Sequence, residues 1–131
     1  ENDFKIIIIT NQSGIGQNFF TEEDFKLLNK FMLSEFRHNQ IEITHIYFCP
    51  YHPTKGKGKY LNDSYLRKPQ PGMFFEAAKD YSINLSKSIM IGDKRTDYEA
   101  SIGANIKYFV DATRNNWEQY SIKIIKNSND N

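Results

Sequence analysis

Apolar positions along this chain fall into four short runs, separated by segments with helical spacing or by polar loops. Lys5-Ile-Ile-Ile-Ile-Thr10 is continuous rather than alternating, the pattern of a strand buried on both faces, as in a parallel sheet. Residues 43–48, 88–91 and 107–110 read as three further strands. Thr21 followed by Asp24 has the spacing of a capping box, and Phe25, Leu28, Met32 and Phe36 then recur along one helical face, which predicts a helix over 22–37. Pro71 suits a first helical position, where its missing N–H costs nothing, and predicts a helix over 71–81. Thr96 or Asp97 starts another to about residue 102, closed by Gly103, and beyond Trp117 the pattern weakens to a short helix or strand.

Strands alternating with helices predict an α/β fold with a mostly parallel sheet. At 131 residues the length suits one domain around one core; residues 1–126 are assigned to it and 127–131 to a polar tail. Lys and Arg number 17 against 16 Asp and Glu, so net charge gives no reason to expect nucleic acid or a membrane as partner. A monomer is expected. One cysteine, Cys49, excludes an internal disulfide, and the longest aliphatic run, Ile6 to Ile9, is too short to cross a bilayer. The cytoplasm is the default compartment.

In parallel sheets ligands bind beyond the carboxyl ends of the strands, and three polar clusters lead toward that edge. Thr10-Asn-Gln-Ser-Gly-Ile-Gly16 offers a hydroxyl and flexible N–H donors, suited either to an anion or to a plain strand-to-helix turn. Gly92-Asp-Lys-Arg-Thr-Asp97 sets one aspartate directly after an apolar strand and a second at a helix start. Asp93 there suits a hard divalent cation, while Asp97 is either a second ligand or a helix cap. Between them, Lys68 precedes Pro-Gln-Pro-Gly; it is either solvated or held on a rigid turn and aimed at a phosphoryl group. Arg67 beside it offers a planar fork for a second phosphate or sugar hydroxyls.

Together these stretches, with Cys49-Pro-Tyr-His-Pro53 and Arg67-Lys-Pro-Gln-Pro-Gly-Met73, resemble the haloacid dehalogenase-like (HAD) phosphatases. The similarity is to the branch containing heptose 1,7-bisphosphate and histidinol-phosphate phosphatases. The resemblance implies a Rossmannoid three-layer α/β/α sandwich and Mg²⁺-dependent hydrolysis of a sugar phosphomonoester through an aspartyl-phosphate, in carbohydrate precursor synthesis. It implies that Thr10 hydrogen-bonds the phosphoryl group and that Asn11, Gln12 and Ser13 line the substrate site. Arg67 would recognise substrate, Lys68 would stabilise the phosphoryl group, and Asp93 would hold Mg²⁺. Lys94 would touch substrate or metal-bound water, and Asp97 would support that loop.

Two departures from the family pattern matter. Where zinc-bearing members have Cys-x-His and Cys-x-Cys, this chain has Cys49, Tyr51, Ser64 and Leu66, so structural Zn²⁺ is not expected. The family's Asp-x-Asp, which supplies nucleophile and acid/base, should precede Thr10 on a central first strand; only Asp3 stands there. That strand would lie between residues 6–9 and 88–91, so without it two apolar edges are left unpaired. The 131 residues are therefore expected to be a portion of a longer polypeptide lacking at least one upstream βα unit, and inactive alone. A non-catalytic phosphate-binding fragment is the reading from a different class.

Overall fold

The computed structural model describes residues 4–129. They form β1 (Ile6–Asn11), α1 (Ser13–Gly16), α2 (Glu22–His38), β2 (Ile43–Cys49), α3 (Gly72–Tyr81), β3 (Ile89–Gly92), α4 (Arg95–Gly103), β4 (Tyr108–Asp111) and α5 (Trp117–Asn129). Where one core was expected, the chain divides into two compact units, the first ending at Arg67 and the second beginning at Lys68.

In the first unit β1 and β2 run parallel, with Ile7 opposite His45 and Asn11 opposite Cys49. Helix α2 makes the crossover between them. It starts as its sequence requires: Asp24 N–H donates to Thr21 Oγ1 at 3.0 Å and Thr21 N–H donates back to Asp24 Oδ2 at 2.9 Å. Phe25 is buried and its ring meets Phe48 of β2 at 4.9 Å, while Met32 and Phe36 are half-buried on the same stripe. Leu28, expected on that face, is exposed, as are Leu27 and Phe31. A two-stranded ladder is narrow and covers only one stripe of the helix, so residues one-sixth of a turn off that stripe lose contact with it.

In the second unit β3 and β4 are parallel, Gly92 lying opposite Asp111. Its buried residues come from α3 (Met73, Phe74, Ala77), α4 (Ala100, Ser101) and its C-cap Ala104, β4 (Val110) and α5 (Ser121, Ile124). Gly103 approaches Pro71 so closely that an added Cβ would lie 3.3 Å from its ring. Helix α5 extends to Asn129. Residues 127–129 of the expected tail are thus helical, and the rest of that tail lies outside the described residues. Pro71 is the cap of α3 rather than its first residue.

The ladders are separate: among the described residues β1 pairs with β2 and β3 with β4, in two two-stranded sheets. Ile6 of β1 and Ile91 of β3 are 46% and 44% exposed.

Candidate active site

Both units carry polar clusters at the carboxyl ends of their strands. In the first, β1 ends in Thr10-Asn11 and the chain turns at once into α1. Gln12 N–H donates to the Cys49 carbonyl at 2.8 Å, extending the ladder by one bond, and Gln12 Nε2 donates to Thr10 Oγ1 at 2.9 Å. Ser13 begins α1, and its hydroxyl accepts from Gln17 Nε2 at 3.3 Å. Thr10, Asn11, Gln12 and Ser13 are all half-buried. A strand end followed by a one-turn helix thus presents two hydroxyls and two amides from four consecutive residues.

The long segment after β2 is held by hydrogen bonds at several points. Gly16 is indispensable there, since an added Cβ would lie 2.3 Å from the Pro50 carbonyl oxygen and 2.9 Å from Tyr60 Cβ. The Gly16 carbonyl accepts from Lys57 N–H at 2.8 Å. Tyr60 donates its hydroxyl proton to Glu22 Oε2 at 2.5 Å, across 38 residues, and this bond to a carboxylate pushes the phenol up to about 12. His52 N–H donates to the Tyr60 carbonyl at 3.1 Å. His52 Nδ1 accepts from the N–H groups of Thr54 and Lys55 at 3.1 and 2.9 Å, so this nitrogen caps a turn.

Of the four zinc-ligand positions, Cys49 is fully buried, and burial pushes its thiol up against hydrogen bonds from the Tyr51 backbone and the Ser64 side chain. Ser64 Oγ accepts from Leu66 N–H at 3.1 Å, and Arg67 Nη1 donates to the Tyr51 carbonyl at 3.4 Å. One thiol and one hydroxyl do not make the four-donor N/S set a structural zinc needs. The residues present fit a hydrogen-bonded closure of the loop instead. Arg67 is half-buried at the end of this network.

The second unit opens with Lys68, whose peptide bond to Pro69 is cis. Lys68 and Asp97 are buried, 8% and 5% exposed, and Lys68 Nζ donates to Asp97 Oδ1 at 2.5 Å. The other oxygen of Asp97 accepts from the backbone N–H groups of Asp93 and Lys94, each at 3.2 Å. Burial raises the Asp97 carboxyl, but the Lys68 hydrogen bond and charge, with these two N–H groups, outweigh it and hold the group below the usual carboxylate range. Asp97 is therefore not the helix cap: Lys94 occupies that position and Asp97 sits three residues on, bonding back to its N–H. Gly92 makes this possible, because an added Cβ would meet Asp97 Cβ at 2.7 Å.

Asp93 and Lys94 are exposed on the loop that Asp97 fastens. Asp93 offers one carboxylate beyond a strand end. That is enough for a cation which keeps most of its waters and takes further ligands from a phosphate, so this residue fits Mg²⁺ as one ligand of several. Among the described residues no three His, Cys, Asp or Glu side chains cluster as a metal cage.

A cavity of about 660 Å³ opens beside Asp93, walled by Tyr98, Trp117 and Tyr120 and edged by Lys94, Asp111 and Arg114. Asp111 lies at the end of β4 in register with Gly92 and accepts from Thr113 Oγ1 at 2.6 Å and Thr113 N–H at 2.9 Å, bonds that hold its carboxyl below the usual range. Asp111 carries in sequence the same signal as Asp93, an acid directly after an apolar strand, and is a further candidate at this edge. The Glu22–Tyr60 tie left no sequence signal, since neither residue stands in a motif.

Residues 65–113, which include the Arg67-Lys68 turn and the Gly92–Asp97 loop, match the HAD-hydrolase-like family. Over 104 residues the chain is 39% identical to a D-glycero-beta-D-manno-heptose-1,7-bisphosphate 7-phosphatase of Haemophilus influenzae, covering 79% of this chain and 56% of that protein. Over 107 residues it is 38% identical to a probable D-glycero-D-manno-heptose-1,7-bisphosphate 7-phosphatase of Thermoplasma volcanium, covering 82% and 68%. Among solved structures, a putative HAD-like phosphatase from Mesorhizobium loti superposes with a TM-score of 0.83 at 26% identity, over 95% of this chain and 67% of that one. The D,D-heptose 1,7-bisphosphate phosphatase from B. bronchiseptica, complexed with magnesium and phosphate, gives 0.72 at 24%, over 81% and 55%. The fold is HAD-like α/β. The chain belongs to the HAD-like phosphatase family, the one that holds these heptose-bisphosphate phosphatases. It spans about half the length of the first curated relatives it matches.

Proposed function

We propose that the chain is part of a Mg²⁺-dependent phosphatase that hydrolyses a phosphomonoester of a small phosphorylated sugar, heptose 1,7-bisphosphate. The observation that carries this reading is the buried Lys68–Asp97 pair tied through two backbone N–H groups to the Asp93 loop. A fixed ammonium beside a loop with an exposed carboxylate is what transfer of a phosphoryl group requires, because the chemistry consists largely of positioning and charge neutralisation. The named activity of the relatives supports the heptose branch over histidinol phosphate.

In this reading Lys68 faces the negative charge on the transferring group, with Asp97 fixing the lysine's position. Asp93 would hold Mg²⁺, which when bound neutralises charge on the phosphoryl oxygens; a relative complexed with magnesium and phosphate supports that choice. Lys94 would meet substrate or metal-bound water. Thr10 would donate its hydroxyl proton to a phosphoryl oxygen, Gln12 orienting that hydroxyl through the bond between them. Asn11, Gln12 and Ser13 would meet the sugar, and Arg67 a second phosphate or hydroxyls. The attacking aspartate is assigned to a strand preceding the Thr10 strand, since no Asp-x-Asp stands before Thr10 in these residues. The cytoplasm is the proposed compartment, supported by the single free, buried Cys49.

The test is phosphate release by the full-length protein, with heptose 1,7-bisphosphate and histidinol phosphate compared with and without Mg²⁺. Mg²⁺-dependent turnover of the heptose bisphosphate is expected. Equal turnover without the metal, or preference for histidinol phosphate, would refute the reading.

A further inference from the structure

A second groove, in the first unit, lies between α2 and β2. Its volume is about 510 Å³, and Lys26, Lys30 and Arg37 line it from the helix, with Ile43, Thr44, His45 and Ile46 from the strand. No carboxylate lines it. At 3.6 residues per turn the three cations fall within about 40° of one another, in a stripe roughly 16 Å long. Glu35 falls on the opposite side of the helix, while the acids of the first turn are engaged elsewhere: Glu22 with Tyr60, Asp24 in the cap with Thr21. Glu23 touches Lys26 at 3.7 Å as an exposed pair, which neutralises little. Lys30 and Arg37 make no ion pair among the described residues. In a chain whose net charge is +1, this is a local positive stripe.

The strand side of the groove is as specific as its charge. Four consecutive residues of β2 line it, so the groove follows the strand's backbone rather than one of its faces. Among the described residues β2 pairs with β1 alone, leaving its other edge without a strand. A segment added to that edge would place alternate side chains on the α2 side about 6.6 Å apart. Lys26 and Lys30 stand about 6 Å apart along the helix. Leu33, Ile43 and Ile46 give apolar contact.

We infer that this groove takes an extended acidic segment of a partner protein, paired along the edge of β2 that carries no strand among the described residues, with alternate carboxylates against Lys26, Lys30 and Arg37. Edge addition supplies affinity through main-chain hydrogen bonds, and the basic stripe selects acidic side chains.

The experiment measures fluorescence anisotropy of a labelled peptide of about six residues, Glu alternating with Val or Thr, against the full-length protein. Saturable binding is expected, weakened at least tenfold by Lys30→Glu with Arg37→Glu and by roughly 0.3 M salt. It should be lost when proline replaces the peptide's central residue, which removes a ladder donor. Lys26→Gln with Lys30→Gln gives the same readout by neutralisation alone should the charge reversals fail to fold. Absence of binding, binding indifferent to these variants, or equal binding of the proline peptide would overturn the inference. So would tighter binding of a single-stranded oligonucleotide of equal charge, which would make phosphate backbone the ligand.

Discussion

Lys68 and Asp97 form a buried ion pair at 2.5 Å, 29 residues apart in sequence, and the second oxygen of Asp97 holds the N–H groups of Asp93 and Lys94. One carboxylate thus fixes both the lysine and the loop that carries Asp93. Removing one partner from such a pair leaves an uncompensated buried charge, so Asp97→Asn should cost about 3–5 kcal/mol in denaturant unfolding. Lys68→Ala should add a loss of roughly 10²–10³ in turnover of the full-length protein. Near wild-type turnover of Lys68→Ala would remove the assigned role.

The pair also predicts an acid limb of stability. Asp97 has a folded-state pKa below its unfolded value near 3.9, so its ionisation stabilises the fold above that pH. That contribution is lost as pH falls from about 4 through the lower native value. Unfolding measured from pH 7 downward should show this loss in the native protein and a flatter acid limb in Asp97→Asn. Parallel curves would mean that the ion pair contributes nothing to the pH dependence.

Gly92 is the residue whose size the pair cannot tolerate. A methyl group there would come within 2.7 Å of Asp97 Cβ, on a helix whose Ala100 and Ser101 are buried. Gly92→Ala should lower the midpoint of thermal unfolding by several degrees, on the order of 1–3 kcal/mol for overpacking, and reduce Mg²⁺-dependent turnover with it. An unchanged midpoint would show that α4 can move away freely.

The four strands and the major helices were legible because their signals are local: β-branched runs for β1 and β2, a Thr21–Asp24 capping box, a glycine closing α4. Boundaries moved by one residue, as with β1, which ends at Asn11 because Gln12 still bonds the Cys49 carbonyl. Leu28 was misplaced because periodicity marks a helix face but not the width of the sheet that covers it. Lys68 and Asp93 could be selected from turn chemistry and strand ends. The Lys68–Asp97 pair could not, since a short polar side chain near a helix start reads equally as a cap. Glu22 and Tyr60 were invisible for the same reason, their partnership existing only once the loop is folded.

Asp93 is exposed at the end of β3 and contributes little packing. Asp93→Asn should therefore leave the unfolding midpoint within about 0.5 kcal/mol of native, the usual range for surface substitutions, while raising the Mg²⁺ concentration needed for turnover at least tenfold. Titrating turnover with Mg²⁺ beside a thermal melt separates the two effects. A collapse in stability with an unchanged metal response would make Asp93 a structural residue.

The Tyr60–Glu22 bond predicts behaviour at high pH and in the loop that ends at Arg67. With the phenol raised to about 12 from 10, the protonated tyrosine favours the folded loop fully below pH 10, and this preference is lost as pH rises toward 12. Tyr60→Phe should abolish that alkaline step. Tyr60 also supplies the carbonyl that His52 binds and the wall that excludes a side chain at Gly16, and the aromatic ring is kept in this variant. The tie to α2 is then the only interaction removed. Amide exchange over residues 50–67 should quicken in Tyr60→Phe while α2 stays protected, and KM for the sugar phosphate should rise with kcat little changed, because Arg67 binds the Tyr51 carbonyl of the same loop. Exchange equal to native across 50–67 would mean that the remaining hydrogen bonds, Gly16–Lys57 and Arg67–Tyr51 among them, hold the loop without the tie to α2.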